Sequence, residues 1–255
     1  MKQIPNIFTL LNLIFGCLAI VCILQTGLTM TSDETGQNLV IIPERIYWAP
    51  FFIGCAALID FLDGFVARLF KAVSEMGKQL DSLADVVSFG VAPGLIAYEF
   101  LRMSYAQQID GLDISSLWLL PALLLPAAAA YRLARFNTDP AQGTIFRGVP
   151  VPAAALLIAS LPLVYWYTSN RFILQLLINK WFWYAIILLV SYLMISTLPM
   201  LAPKFSGPGY KKMLPFLVLV LVAVSGAFIL HWLTVPVTFI AYVILSLLFK
   251  PNKTS

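Results

Sequence analysis

The stretch IDFLDGFVARLFKAVSEMGKQLDSLADVVSFG, residues 59–90, places four aspartates in or beside strongly apolar sequence. Asp60 and Asp63 are three residues apart and Asp81 and Asp85 are four apart, so each pair lies on one face of a helix. The short basic connection between the pairs predicts two antiparallel helices whose carboxylates converge. Each unpaired aspartate in a membrane costs about 2.5–3.5 kcal/mol, so the group needs a neutralising partner. Clustered carboxylates suit Mg²⁺ or Mn²⁺ better than zinc.

The composition around this stretch is that of a polytopic α-helical membrane protein. Of the 255 residues, 60% are hydrophobic and 11% are charged, against roughly 25% charged in an average soluble chain. The apolar residues form long runs, and a run of about 20 residues spans a bilayer as a helix. The net charge of +4 is carried at the ends of these runs, which favours anionic lipid over nucleic acid as the partner. The single histidine, His231, excludes a catalytic triad and a multi-histidine metal site.

The apolar runs predict an all-α bundle of about eight transmembrane helices. With the N-terminus inside, 12 of the 16 Lys and Arg residues fall on one side and 4 on the other, which predicts that both termini are cytoplasmic. The chain is expected to form one domain, 1–255, with a six-helix core at about 1–205 and two added C-terminal helices at about 212–250. The predicted spans are roughly 8–27, 46–70, 84–103, 116–136, 151–169, 181–201, 212–232 and 235–250.

Small and basic residues follow the first aspartate pair at fixed spacing. Gly64 and Ala67 form a smooth strip beside Asp63, either for a ligand or for close helix packing. Arg68 follows on nearly the same face, where it is suited to a phosphate and also to anchoring at the inner surface. The complete pattern is Asp60-x₂-Asp63-Gly64-x₂-Ala67-Arg68-x₈-Gly77-x₃-Asp81-x₃-Asp85.

Position for position, this pattern resembles the signature of the CDP-alcohol phosphatidyltransferases, and the resemblance extends over most of the first six spans. It implies an integral membrane enzyme that transfers a phosphatidyl group from CDP-diacylglycerol to an alcohol and releases CMP. It also implies that Asp60, Asp63, Asp81 and Asp85 bind two divalent ions, Mg²⁺ or Mn²⁺, that Asp85 is the general base, and that the protein is a homodimer. The expected location is the cell's cytoplasmic membrane, with the active site at its inner face.

The segment IPNIFTLLN, residues 4–12, carries Asn6, Thr9 and Asn12 on one helical face. On the residues alone this face is equally consistent with a polar helix start. The family resemblance assigns Thr9 and Asn12 to the CDP-lipid pocket. By the same resemblance, the rest of that pocket comprises Gly64, Ala67, Arg68 and Gly77.

Three further stretches resemble bacterial or archaeal phosphatidylserine synthases: DSLADVVSFGVAP (81–93), YRLARFN (131–137) and FRGVPVPAAA (146–155). This resemblance implies serine as the acceptor alcohol. The carboxylate of serine needs a fixed cation, and the candidates are Arg132, Arg135 and Arg147, since an arginine can bind a carboxylate through two hydrogen bonds. Each of these arginines is alternatively an inner-surface anchor.

Two other functions are compatible with parts of the pattern. Glycerol 3-phosphate or inositol phosphate as acceptor would also require cations, so the arginines do not decide between acceptors. An ion-coupled transporter also carries acidic residues in its spans. Here, however, the four aspartates cluster at one face of the membrane, and the paired interrupted helices typical of transporters are not apparent in the sequence.

Overall fold

The computed structural model describes residues 4–25, 29–32, 38–41, 44–69, 74–107, 114–138, 146–201 and 210–249. The predicted all-α class is confirmed for this part of the chain, which folds mainly into ten α-helices. These are α1 (Ile4–Leu24), α2 (Trp48–Leu69), α3 (Glu75–Asp85), α4 (Ala92–Ala106), α5 (Leu124–Thr138), α6 (Val151–Tyr167), α7 (Arg171–Ile178), α8 (Lys180–Ile195), α9 (Tyr210–Ile229) and α10 (Thr234–Leu248).

Short elements connect these helices. Two antiparallel ribbons pair β1 (Thr29–Ser32) with β2 (Asn38–Ile41), and β3 (Phe146–Arg147) with β4 (Pro199–Met200). Four 3₁₀ turns lie at Glu44–Tyr47, Ser116–Trp118, Leu120–Leu123 and His231–Leu233, and a π-helical segment at Val86–Val91 joins α3 to α4.

Helices lie in all eight intervals for which the sequence predicts membrane spans. Four helical segments in the described residues are long and apolar enough to cross a membrane: Asn6–Leu24, Arg45–Val66, Glu75–Ala106 and His231–Leu248. A fifth results if α7 and α8, which meet at a bend of 72°, are counted as one broken span. The apolar helices at Val151–Tyr167 and Leu214–Ile229 are shorter. This composition gives the chain the character of a membrane protein.

The third predicted span, 84–103, is part of a longer element in the structure. Because α3, the π segment and α4 are continuous, the helix runs for 32 residues from Glu75 to Ala106. Ser74 starts it as an N-cap, accepting a hydrogen bond from the Gly77 amide at 3.0 Å. The aspartates at 81 and 85 therefore lie inside a continuous helix.

The core is centred on α4, which packs against α1, α5, α6, α7 and α8. The ring of Phe100 in α4 lies 4.8 Å from the buried ring of Trp183 in α8, tilted by 35°, and meets Tyr165 of α6 edge-on at 5.8 Å. The Trp183 indole donates to the Leu177 carbonyl at 2.7 Å, which holds the α7–α8 bend. Large apolar side chains on the outer faces of the helices are exposed, as expected for a surface in contact with lipid.

The π segment and α4 lie very close to α5. A Cβ added at Gly94 would be 2.9 Å from the Cδ of Pro126, and one added at Gly90 would be 3.1 Å from the Cβ of Ala129. These glycines allow the two backbones to approach closely, in the way that small residues do between membrane helices. Their packing fixes the position of the α5 residues that follow, including Arg132.

Candidate active site

The polar face of α1 points at the aspartates. Thr9 is 2% exposed, and its hydroxyl donates a hydrogen bond to Oδ2 of Asp63. Asn12 is fully buried, and its Nδ2 donates to Oδ1 of Asp85 at 3.1 Å. The face predicted from the sequence thus contacts both aspartate-bearing helices, and these bonds orient the carboxylates.

Three of the four aspartates converge on one point. Asp60 on α2 and Asp81 and Asp85 on α3 each offer one carboxylate oxygen, and these three oxygens lie within 4.8 Å of one another. Asp63, one helical turn after Asp60, lies within electrostatic range of Asp60 and Asp81. The geometry therefore gives one three-oxygen group with a fourth carboxylate beside it.

This group of side chains has the donor set of a divalent cation site. Oδ1 of Asp63 and Oδ1 of Asn12 are buried and have no hydrogen-bond partner among the described residues. None of the four aspartates forms a salt bridge with another described residue; the Arg102–Glu99 salt bridge lies within α4. Oxygen donors and negative charge without an ion pair fit Mg²⁺ or Mn²⁺.

The helix changes its geometry directly after Asp85. Residues 86–91 are π-helical, a wide turn that is often found at functional sites. In this segment the hydroxyl of Ser88 donates to the Asn12 carbonyl at 3.0 Å. A Cβ added at Gly16 would be 2.8 Å from the Cα of Ser88, so a larger residue there would push the π segment away from α1.

Sequence reasoning did not identify Gly16 or Ser88 as site residues. A signal was available for both: Gly16 follows Asn12 by four residues and Ser88 follows Asp85 by three, so each continues a face already assigned to the site.

The glycines of the motif have different surroundings. A Cβ added at Gly64 would meet no described atom within 4 Å, so the backbone next to Asp63 is open. A Cβ added at Gly77 would be 3.0 Å from Oδ1 of Asn6, so Gly77 allows α3 to pack closely on α1. Ala67 and Arg68 lie in the last turn of α2, and their side chains are outside the described residues.

Arg132, one of the three arginines proposed for the acceptor, is buried in α5. Its side chain is 7% exposed and lies within electrostatic range of Asp85. Its Nε has no hydrogen-bond partner in the described part of the structure. Arg132 is therefore a buried cation with donor capacity facing the carboxylate group.

The other two arginines lie along the connection after α8. Arg135 donates from Nη1 to the Ile195 carbonyl at 2.7 Å and from Nη2 to the Ser196 carbonyl at 3.1 Å. It thereby satisfies carbonyls at the C-terminus of α8. Arg147 is exposed and lies in β3, where it is paired with Pro199 of β4.

A second set of polar contacts fastens α3 to the end of α5. Asn137 donates from Nδ2 to the Ser82 hydroxyl at 2.6 Å and accepts at its carbonyl from Nζ of Lys78 at 3.3 Å. The helix with Asp81 and Asp85 is thus tied to α5, the helix that carries Arg132 and Arg135.

The chain is similar to proteins of known activity. A family model described as CDP-alcohol phosphatidyltransferase matches residues 2–190. A CDP-diacylglycerol–serine O-phosphatidyltransferase from Helicobacter pylori is 34% identical over 187 residues, which cover 71% of this chain and 70% of that protein. The enzyme of the same name from Bacillus subtilis is 32% identical over 165 residues, covering 65% and 78%. An archaetidylserine synthase from Methanothermobacter thermautotrophicus is 32% identical over 188 residues, covering 71% and 70%.

Proposed function

The chain belongs to the CDP-alcohol phosphatidyltransferase family, and on this premise we propose that it transfers the phosphatidyl group of CDP-diacylglycerol to the hydroxyl of L-serine. The products are phosphatidylserine and CMP. The observation that carries this proposal is the convergence of carboxylate oxygens from Asp60, Asp81 and Asp85 within 4.8 Å. The serine acceptor is supported by the names of the similar proteins.

Asp60, Asp63, Asp81 and Asp85 are the residues that would hold divalent cations, Mg²⁺ or Mn²⁺, and four carboxylates are enough for two ions. When bound, such ions offset the charge of the pyrophosphate and of the departing CMP. Thr9 donates a hydrogen bond to Asp63 and Asn12 donates one to Asp85, so α1 fixes the orientation of two of the four carboxylates.

Asp85 is the proposed general base. The serine hydroxyl oxygen forms a bond to the phosphorus that carries diacylglycerol, and the bond from that phosphorus to the oxygen of CMP breaks. The proton of the hydroxyl goes to the Asp85 carboxylate. The bond from Asn12 to Oδ1 fixes the plane of this carboxylate, which is the positioning that a proton transfer needs.

The CDP-lipid pocket is proposed to comprise Thr9, Asn12, Gly64, Ala67, Arg68 and Gly77. Two features support this assignment. The Oδ1 of Asn12, which has no hydrogen-bond partner among the described residues, can accept a hydrogen bond, and no described atom lies within 4 Å of a Cβ added at Gly64, which leaves space for a phosphate next to Asp63.

Arg132 is the proposed partner of the serine carboxylate, because it is buried and lies within electrostatic range of Asp85. Its Nε, which has no hydrogen-bond partner in the described part of the chain, gives it unused donor capacity. Arg135 and Arg147 belong to the same region through their contacts with residues 195–199 and would act on the acceptor together with Arg132.

The proposed topology has eight spans, with both termini in the cytoplasm and the active site at the inner face of the cytoplasmic membrane. The 12-to-4 distribution of Lys and Arg and the helix in each predicted interval support it. The chain is proposed to be one domain with a core at about 1–205, a division supported by the end of the family match at residue 190. As in the family, the working form is proposed to be a homodimer.

The test is CMP release by the purified protein in detergent with CDP-diacylglycerol and Mn²⁺ or Mg²⁺. Serine is compared with glycerol 3-phosphate and inositol 1-phosphate, each with and without EDTA. Metal-dependent release with serine alone is expected. CMP release only with another acceptor would refute the serine assignment. Ion uptake by proteoliposomes without CMP release would refute the proposal that the protein is an enzyme.

A further inference from the structure

Residues 195–201, which begin with the last residue of α8, are bonded to parts of the chain that are far apart in sequence. We call them the connector. Arg135 binds the carbonyls at its first two residues, and the Gly148 amide donates to the Leu198 carbonyl at 2.9 Å. β3 pairs with β4 inside it. The connector is therefore attached to both regions that carry the proposed acceptor arginines.

Helix α10 holds the end of the same connector. The Tyr242 hydroxyl donates to the Leu201 carbonyl at 3.2 Å, and the Leu201 amide donates to the Ser246 hydroxyl at 3.2 Å. The Ser246 hydroxyl in turn donates to the Tyr242 carbonyl at 2.7 Å. Both main-chain polar groups of Leu201 are thus satisfied by one turn of α10, and Ser246 is fully buried.

Tyr242 is also electrostatically coupled to the proposed acceptor site. Its phenol is half-buried and lies within electrostatic range of the Arg132 guanidinium, which itself lies within range of Asp85. Arg132 and Arg135 are three residues apart on α5, so they share a face. A single tyrosine from the C-terminal pair of helices thus binds the connector and lies within electrostatic range of the buried arginine.

We propose that Tyr242 is a positioning residue for the acceptor pocket. By anchoring Leu201 in the connector, to which Arg135 of the same helix face is also bonded, it keeps the Arg132 guanidinium where the carboxylate of the acceptor binds. Helix α10 then completes the pocket, although it lies beyond the part of the chain that the family model matches. This inference rests on the proposed function for the identity of the acceptor, and on the contacts of α10 for the role of Tyr242.

The experiment compares Tyr242→Phe with the wild-type full-length chain in the CMP-release assay. The variant keeps the ring and loses the hydroxyl. We expect KM for serine to rise about fivefold, the effect of losing one hydrogen bond, while KM for CDP-diacylglycerol stays within about twofold. Tyr131→Phe is the matched control, because Tyr131 adjoins Arg132 in sequence but is exposed on α5. It should leave both constants unchanged.

A purely structural role would have a different signature. Equal rises in both KM values, or a lower Tm with both KM values unchanged, would overturn the inference. Ser246→Ala is a second variant that releases the Leu201 amide and retains the phenol. It should raise KM for serine in the same direction by a smaller factor, and an unchanged KM in both variants would refute the role of α10.

Failure of the proposed function gives a separate result. If the wild type releases CMP only with another acceptor, the serine assignment falls. A selective rise in KM for that acceptor in Tyr242→Phe would still support the positioning role, whereas a selective rise for the CDP-lipid would overturn it.

Discussion

Asn12 on the first helix donates a 3.1 Å hydrogen bond to Asp85, which lies 73 residues further along the chain. Asn12 is fully buried, so water does not replace this bond when it is lost. Ser88 binds the Asn12 main chain at the same point, and the helix carrying Asp85 is therefore held to α1 on both sides of the asparagine.

The variant Asn12→Ala should lower kcat by about tenfold or more, because a hydrogen bond to a charged group contributes roughly 1.5–3 kcal/mol. CMP release at saturating substrates measures this effect. Leu10→Ala is the control, since Leu10 lies on the exposed face of the same helix. A kcat equal to that of the wild type would show that Asp85 keeps its orientation without Asn12.

The variant Asp85→Asn should reduce turnover by about 10²–10⁴-fold, the usual contribution of a general base. Binding of CDP-diacylglycerol, measured by equilibrium titration, should be largely retained. Glu75→Gln changes an exposed acidic residue of the same helix and should have little effect. Normal turnover in Asp85→Asn would exclude Asp85 as the base.

The variants Asp60→Asn and Asp63→Asn should raise the Mn²⁺ concentration needed for half-maximal activity and lower the maximal rate. Thr9→Val removes the donor to Asp63 but keeps the carboxylate, so its shift in the same titration should be smaller. Superimposable metal titrations for wild type and both asparagine variants would contradict the ligand assignment.

The variants Arg132→Ala and Arg135→Ala should behave differently. Arg132→Ala should raise KM for serine by at least tenfold, because it removes the buried cation, and should leave KM for the CDP-lipid nearly unchanged. Arg135→Ala should also raise KM for serine. Unlike Arg132→Ala, it should lower Tm as well, because it leaves the Ile195 and Ser196 carbonyls at the end of α8 without their hydrogen bonds to Arg135. Equal rises in KM for serine and for the CDP-lipid in Arg132→Ala would indicate that Arg132 anchors the helix at the inner membrane surface and does not bind the acceptor.

The variant Gly148→Ala should destabilise the protein. Gly148 has φ of +73°, and an added Cβ would be 2.5 Å from the Met194 carbonyl oxygen. The left-handed conformation alone costs a non-glycine residue about 1–2 kcal/mol. Thermal unfolding in detergent should show a clear fall in Tm, whereas Gly54→Ala, in a helix with no described atom within 4 Å of the added Cβ, should not. Equal Tm values for the wild type and Gly148→Ala would show that the end of α8 and the connector shift to accommodate the added Cβ.

The sequence predicts the elements of the site better than their contacts. The spacing of the four aspartates places each pair on one helical face, and Asn6, Thr9 and Asn12 share another, because helical periodicity is local. The partners of Thr9 and Asn12 depend on how α1 packs against α2 and α3, which periodicity does not specify.

Other features of the structure could not be predicted from the sequence, for the same reason. The continuous helix from Glu75 to Ala106 has a π-helical segment that no periodic pattern marks. The positive φ of Gly148 follows from its contact with the end of α8, 46 residues later. The hydrogen bonds between α10 and Leu201 depend on the hydroxyl groups of Tyr242 and Ser246, and nothing in the sequence distinguishes these two residues from others in a membrane span.

The polar face of α1 also has a consequence for biogenesis. Chain synthesis starts at the N-terminus, so α1, which carries Thr9 and Asn12, leaves the ribosome ahead of the helices that carry the aspartates. Each aspartate that inserts alone costs about 2.5–3.5 kcal/mol. When α2 and α3 follow, a helix with matching hydrogen-bond donors is already in place to receive Asp63 and Asp85. The hydrogen bonds from the first helix therefore offset part of the cost of placing the aspartate-bearing segment in the bilayer, before any substrate or metal is bound.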